Sequence, residues 1–134
     1  MPSTHTHLLY HLIFATKDRE PILDSDWRER LHDYLGGVTR GLGGVPQGIG
    51  GVADHVHVFV SLKATHCLAD FMRELKRRSS LWVAEQTKRR EFKWQEGYAA
   101  FSVSESSREK VREYIARQEE HHRVKTFRDE LVGS

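Results

Sequence analysis

The chain has 134 residues, of which 38% are hydrophobic and 10% aromatic, and its formal net charge at pH 7 is +2. This is the composition of one compact globular domain, residues 1–134, and no apolar run approaches the roughly 18 residues of a membrane span. Cys67 is the only cysteine, which excludes a disulfide or thiolate metal site within one chain, and the N-terminus lacks a secretory pattern, so we expect a cytoplasmic protein.

The first half of the chain predicts a strand, a helix and a second strand. Residues 5–16 alternate between two partly apolar faces, which favours a central strand covered on both sides. Asp24-Ser25-Asp26 supplies N-cap candidates for a helix to about Leu42. Eight of the ten glycines follow within residues 36–51. Because no Gly-Lys-Ser/Thr accompanies them, we interpret this segment as a helix end, a turn and a bent strand over 45–52 rather than a phosphate-binding loop.

The second half continues with two strands and two helices. Residues 55–62 form a strand that pairs with the bent one, and Thr65 or His66 is expected to cap a helix that ends near residue 87. A strand over residues 98–103 precedes a third helix over about 105–122, and the tail 125–134 could form a short helix. The order predicts an α+β fold: a ferredoxin-like α/β sandwich of βαββαβ order, an antiparallel sheet with helices packed on it, plus an added C-terminal helix.

A pair of histidines stands out in the strand at residues 55–62. His55 and His57 are two residues apart, so their side chains leave the same face, opposite an aliphatic face. Two imidazoles on one face suit a divalent metal, although a His-x-His dipeptide alone is a weak signal. Phe59 follows on the histidine side, which indicates that this face is covered; a helix carrying Tyr114 could cover it.

Tyr114 and Gln118 lie four residues apart, on one face of the predicted third helix. A metal held by two imidazoles needs a third protein ligand, and an amide oxygen one turn from the tyrosine would bring nucleophile and metal together. This set suits metal-assisted attack of a phenolate on a phosphodiester. The alternative, a core tyrosine beside Ile115 and a solvated Gln118, stays open at this point.

The other chemically active side chains show no comparable arrangement. His121 and His122 are further ligand candidates, which we interpret as polar residues at a helix end. Cys67 is expected to be a small buried residue rather than a nucleophile. The remaining histidines form no constellation: His5, His7, His11, His32 and His66.

A basic region lies between residues 73 and 93, where eight basic residues face three acidic ones. The aromatic residues in this region or directly after it are Trp82, Phe92 and Trp94. This mixture can hold phosphates and stack on bases, whereas the alternative is a solvated helix face with core aromatics. Arg73, Lys76 and Arg77 share or neighbour one helical face and are expected to contact DNA phosphates.

These motifs resemble the single-tyrosine HUH transposases of the insertion-sequence 200/605 type, including relatives associated with repetitive extragenic palindromes. U denotes a bulky hydrophobic residue, here Val56. The similarity covers most of the chain and is carried by five segments: Tyr-His-Leu-Ile-Phe-Ala-Thr-Lys-Asp-Arg (10–19), Asp-His-Val-His-Val-Phe-Val-Ser-Leu (54–62), Phe-Met-Arg-Glu-Leu-Lys (71–76), Trp-Gln-Glu-Gly-Tyr (94–98) and Tyr-Ile-Ala-Arg-Gln-Glu-Glu-His-His (114–122).

The resemblance implies a transposase that cleaves and rejoins single-stranded DNA, at hairpin-containing element ends, through a 5′-phosphotyrosine. Tyr114 would be the nucleophile, and His55, His57 and Gln118 would hold Mg²⁺ or Mn²⁺. It also implies a two-fold homodimer in which the tyrosine helix of one subunit serves the histidines of the other. Two alternatives are a non-catalytic nucleic-acid-binding regulator on the same fold and a metal-dependent phosphodiesterase that uses water.

Overall fold

The computed structural model describes residue 6 and residues 8–118, which contain one four-stranded antiparallel sheet. The strands are β1 (Leu8–Ala15), β2 (Val45–Val52), β3 (His55–Leu62) and β4 (Ala99–Val103), in the spatial order β2-β3-β1-β4. The α-helices of this part of the chain are α1 (Ser25–Gly41), α2 (Leu68–Thr87) and α3 (Arg108–Ala116). The βαββαβ order with an added helix confirms the predicted fold. His121, His122 and the tail 125–134 lie outside the described residues.

Each face of the sheet packs against different helices. On one face, Leu12 and Phe14 of β1 and the valines of β3 form the main core with the apolar sides of α1 and α2. On the other face, Leu9 and Phe59 pack against Ile115 of α3. Strand β1 lies between β3 and β4, and its residues contribute to the cores on both faces of the sheet. The predicted central position of the first strand is therefore confirmed, and α3 is the described helix that packs on the second face.

The predicted caps of the first two helices have different outcomes. Asp24 is the N-cap of α1, where its side chain accepts a hydrogen bond from the backbone N–H of Asp26. The prediction for α2 was wrong, because its N-cap residue is Cys67, without a side-chain cap. His66 instead accepts from the backbone N–H of Lys63 and donates to the carbonyl of Leu42, thereby joining this loop to the end of α1. Cys67 is exposed, not buried as expected.

The β2–β3 hairpin has the predicted bounds, and its register shifts between Pro46 and Gly48, which accounts for the predicted bend.

Within the described residues, none of the helices combines the length and the apolar character that a membrane span needs.

Candidate functional site

The two histidines of β3 place their Nε2 atoms side by side beneath α3. His55 and His57 are fully buried, and the distance between the two Nε2 atoms is 3.1 Å. A divalent ion with ligands at about 2.1 Å and right angles between them requires neighbouring donor atoms about 3.0 Å apart. The observed separation therefore allows both imidazoles to bind one ion, provided that both Nε2 atoms are unprotonated.

The outer nitrogen of His55 contacts a carboxylate. The Nδ1 atom of His55 lies 2.8 Å from Oδ1 of Asp54, and Oδ2 of the same carboxylate lies 3.3 Å from Nη2 of Arg19. Because a carboxylate accepts a hydrogen bond from a protonated Nδ1, it favours the tautomer of His55 whose lone pair is on Nε2. Asp54 and Arg19 were absent from the site predicted from the sequence, although both lie in segments that carry the family resemblance.

Helix α3 brings Tyr114 over the histidine pair. The ring centroid of Tyr114 is 5.9 Å from that of His57, and the two rings meet edge to face. Ile115, the next residue, is buried against Leu9 and Phe59, which anchors the helix on this face of the sheet. The expectation that a helix carrying Tyr114 covers the histidine face is confirmed.

Gln118 presents a buried amide oxygen that has no hydrogen-bond partner among residues 6 and 8–118. Its side chain is buried and its Nε2 donates to the carbonyl of Tyr114 at 3.2 Å, while Oε1 accepts no hydrogen bond from the described part of the chain. A buried acceptor without a partner is unfavourable unless a cation or a donor completes it. Two imidazole nitrogens and one such oxygen fit a divalent ion such as Mg²⁺ or Mn²⁺. Gln118 follows a turn at Arg117, because α3 ends at Ala116, and the predicted course of the third helix after residue 118 lies outside the described residues.

No group of three or more His, Cys, Asp or Glu side chains within residues 6 and 8–118 is arranged to hold a metal ion. A fit to a divalent metal ion therefore requires the amide oxygen of Gln118 in addition to the histidine pair.

A third histidine, His11, belongs to this site and was missed from the sequence. Its Nε2 is 2.7 Å from Nδ1 of His57, and its ring also lies 6.1 Å from that of Tyr114. Burial lowers the pKa of His11 to about 4, so its imidazole is uncharged at neutral pH. The sequence contained one indication of this role, since His11 shares a strand face with Leu9 and Ile13, the face that α3 covers. The contact of His11 with His57 depends on the pairing register of β1 and β3, which the alternation of side chains does not reveal.

Gly50 of β2 lets α3 approach the sheet. It stands opposite His57 in the register, and a Cβ atom added there would be 2.6 Å from the backbone oxygen of Ile115. Any larger residue would force the helix or the strand to move. Gly50 therefore determines how closely α3, with Tyr114 beside Ile115, approaches the sheet, and the glycine-rich segment contributes to the site through packing.

The site opens to solvent through a cavity of about 710 Å³ between β4 and α3. Its wall includes His11 and Tyr114, together with Phe101 of the edge strand and Lys110 of α3. Phe101 is exposed on one side, so the cavity has an apolar lip. A ligand in this cavity would reach the tyrosine directly, whereas the histidine pair lies deeper.

The basic residues of α2 lie across the sheet from the histidines, because α2 packs on the opposite face. Arg73 and Arg77 are exposed and pair with Asp70 and Glu74 on the same helix. Lys76 donates to the carbonyls of Gln95 and Gly97, and so holds the loop before β4. DNA contact by these three basic residues stays a prediction.

The aromatic residues of the basic region pack mainly inside the protein. Trp94 is buried, donates from Nε1 to Ser79 and meets Phe14 edge to face, and Phe92 is buried beside it. Trp82 is partly buried and stacks on Tyr34. The core interpretation of Trp94 and Phe92 is therefore confirmed over base stacking.

Comparisons with known proteins identify similar chains. The model of a family described as "Transposase IS200 like" matches residues 4–118. The ISDra2 transposase TnpA of Deinococcus radiodurans is 29% identical over 117 residues, which cover 83% of this chain and 84% of that protein. The transposase for insertion sequence element IS200 of Salmonella typhimurium is 27% identical over 122 residues, covering 86% and 79%.

Two solved structures share the fold. A crystal structure of a Deinococcus radiodurans protein described as a transposase superposes with a TM-score of 0.72 at 26% identity, covering 88% of this chain and 95% of the other. A tyrosine transposase associated with REP sequences, bound to a REP hairpin, superposes with a TM-score of 0.65 at 13% identity, covering 91% and 74%.

Proposed function

The chain belongs to the IS200-like transposase family, and we propose that it cleaves and rejoins single-stranded DNA through a covalent 5′-phosphotyrosine at Tyr114. The observation that supports this most is the contact of Tyr114 with the histidine pair, whose nearer ring lies 5.9 Å away. A tyrosine ring next to two nitrogens able to bind one ion suits attack of a phenolate on a phosphodiester.

We propose that His55, His57 and Gln118 hold Mg²⁺ or Mn²⁺ through two Nε2 atoms and Oε1. When bound, the ion would neutralise charge on the non-bridging oxygens of the scissile phosphate and polarise its phosphorus. The protein must keep both Nε2 atoms unprotonated, and for His55 the carboxylate of Asp54 does so by accepting a hydrogen bond from the Nδ1–H group.

Tyr114 carries out the covalent step. A phenol has a reference pKa of about 10, so the site must help to remove its proton before the oxygen becomes a good nucleophile. The phenolic oxygen then forms a bond to phosphorus while the bond from phosphorus to the 3′ oxygen breaks. The 3′ oxygen leaves and takes a proton, and the 5′-phosphate stays on Tyr114. A second 3′-OH can later displace the tyrosine, so rejoining needs no ATP.

The proposed substrate is a single strand with a hairpin near the cleavage site, because an unpaired backbone can bend toward a tyrosine on a helix. The REP hairpin bound by one structural relative makes a hairpin-containing element end a reasonable first ligand. The exposed Arg73 and Arg77 would then contribute phosphate contacts, which the salt dependence of DNA affinity would reveal. A chain that acts on bacterial-type mobile DNA is expected in the cytoplasm, which fractionation of expressing cells would check.

The proposal is tested by covalent transfer. The full chain is incubated with Mn²⁺ and 3′-labelled single strands from the flanks of its own gene, and the products are separated under denaturing conditions. Label that migrates with the protein supports the phosphotyrosine. Cleavage without protein-bound label favours the water-using phosphodiesterase, and binding without cleavage favours the regulator.

We further propose a homodimer in which α3 of each subunit covers the histidines of the other. In the single chain Tyr114 lies over its own His57, and β4 and α3 are joined by Ser104 and the short turn Glu105–Ser107. Opening of this connection would exchange the helix between subunits with the same contacts.

Mixing two inactive variants distinguishes a site shared between subunits from a site built within one subunit. In an equal mixture of Tyr114→Phe and His57→Ala subunits, exchanged helices repair one site in each mixed dimer, so about a quarter of the wild-type cleavage is expected. Subunits must be allowed to re-equilibrate before the assay. An inactive mixture that contains mixed dimers would mean that each subunit builds its own site.

Replacement of Gly50 by Ala is expected to lower cleavage about 100-fold, the effect of a displacement near 1 Å at a reacting group. The reason is the overlap between the new Cβ and the backbone oxygen of Ile115, which moves α3 relative to His57. Gly48→Ala is the matched control on the same strand, because nothing lies within 4 Å of an added Cβ there. Rates are measured on the labelled strand. Equal rates for both variants would show that close approach of α3 at Gly50 is not needed.

A further inference from the structure

We propose that His11 is a positioning residue for the metal site: its Nε2 accepts a hydrogen bond from the Nδ1–H group of His57 and thereby presents the Nε2 lone pair of His57 to the ion. The inference rests on the proposed binding of Mg²⁺ or Mn²⁺ by His55, His57 and Gln118, and it assigns a role to a histidine that is not itself a ligand in that set.

The geometry restricts the role of each nitrogen. His57 turns its Nε2 toward Nε2 of His55 at 3.1 Å and its Nδ1 toward Nε2 of His11 at 2.7 Å. An imidazole that binds an ion through Nε2 carries its proton on Nδ1, so in the metal-bound state Nδ1 of His57 is a donor. The atom placed to accept that proton is Nε2 of His11.

The surroundings make this acceptor important. His57 is fully buried, and a buried N–H group without an acceptor is costly. His55 has the corresponding partner in Asp54, whose Oδ1 lies 2.8 Å from Nδ1 of His55. The outer nitrogen of each imidazole therefore has a partner: the carboxylate of Asp54 for His55, and the imidazole of His11 for His57. Such outer contacts fix the ring orientation and the tautomer of metal-binding histidines.

The contact is also independent of α3. His11 lies on β1 and His57 on β3, and these strands are paired neighbours in the sheet of one chain. Whether α3 comes from the same subunit or from a partner, the pairing of His11 with His57 is preserved. The ring of His11 cannot be replaced by an apolar group without removing the acceptor, whereas a glutamine places an amide oxygen close to the position of Nε2.

The test compares the Mn²⁺ affinity of three full-length proteins by electron paramagnetic resonance of free Mn²⁺. His11→Leu is expected to bind Mn²⁺ about 10- to 100-fold more weakly than the wild type, the usual effect of losing an outer contact of a ligand. His11→Gln, which keeps an acceptor, is expected to recover most of the affinity. Equal affinity in the wild type and His11→Leu, or equal weakening in both variants, would overturn the role of His11 as an acceptor.

A second measurement needs no variant. In the Mg²⁺-saturated wild type, the ¹⁵N shifts of the histidine side chains are expected to show His57 protonated at Nδ1, with a through-hydrogen-bond coupling to Nε2 of His11. Protonation of His57 at Nε2 in that state would overturn the proposal. A wild-type chain that binds no Mn²⁺ would overturn the metal site itself and with it this role, whereas binding by wild type and His11→Leu alike removes only the role of His11.

Discussion

Replacement of Tyr114 by Phe is expected to abolish the covalent protein–DNA adduct and to reduce cleavage at least about 1000-fold, because the substitution removes the attacking oxygen and little else. The ring itself should stay in place. It packs edge to face against His57 and His11, and a phenylalanine keeps those contacts. Mn²⁺ affinity is therefore expected to change little, and the loss should appear in the chemical step alone.

Tyr98→Phe is the matched control, because Tyr98 is an exposed tyrosine just before β4. It should form the adduct at the wild-type rate, and mass spectrometry of the digested adduct should find the nucleotide on Tyr114. An adduct that persists in Tyr114→Phe would assign the nucleophile to another residue. Cleavage that persists without an adduct would favour attack by water.

The fold was predictable because local pattern and tertiary environment agree along most of the chain. Residues 55–62 alternate between valines that enter the main core and side chains on the second face, and the strand has the predicted bounds. The first strand has two apolar faces, and this property placed it correctly in the centre of the sheet. Where the apolar residues of a segment recur with one dominant period and turn-forming residues bound the segment, the sequence predicts the type of element and its buried face.

The site was predictable only in part, because a sequence pattern indicates faces and not registers. Alternation placed His55 and His57 together, and helical spacing placed Gln118 near Tyr114. The contact of His11 with His57 needs the pairing of β1 with β3, and the approach of α3 at Gly50 needs the packing of a helix from much later in the chain. The cap of α2 was predicted wrongly for a related reason, since His66 makes a long-range bond to Leu42.

The basic region shows that composition does not reveal whether aromatic and basic side chains lie on the surface or make contacts inside the protein. Its aromatic residues suggested a stacking surface, but Trp94 donates to the buried Ser79 and completes the core. Lys76 spans to the loop before β4 rather than standing free. Of the three side chains predicted to contact phosphates, Arg73 and Arg77 stay exposed, and each is already neutralised in part by an acidic neighbour. Their contribution to affinity should therefore be smaller than the local charge excess suggests.

Replacement of His57 by Ala is expected to weaken Mn²⁺ binding more than about 100-fold, which exceeds the usual effect of losing an outer contact. It removes one of two nitrogens that stand 3.1 Å apart, and it also leaves Nε2 of His11 without its partner. Cleavage should fall with the affinity, and a high Mn²⁺ concentration should restore little, because the remaining ligands no longer surround one position. Titration calorimetry on the full chain measures the affinity, and the labelled-strand assay measures the rate.

His32→Ala is the matched control for this prediction, because His32 is a half-buried histidine on α1, in the layer on the other side of the sheet. It should bind Mn²⁺ like the wild type. Comparison with Tyr114→Phe then separates the two halves of the site: His57→Ala should lose binding and chemistry together, and Tyr114→Phe should lose chemistry alone. If His57→Ala keeps the wild-type affinity for Mn²⁺, the histidine pair is not the metal site. The buried imidazoles, with Asp54 and His11 on their outer nitrogens, would then serve to hold β1 and β3 in register beneath the tyrosine.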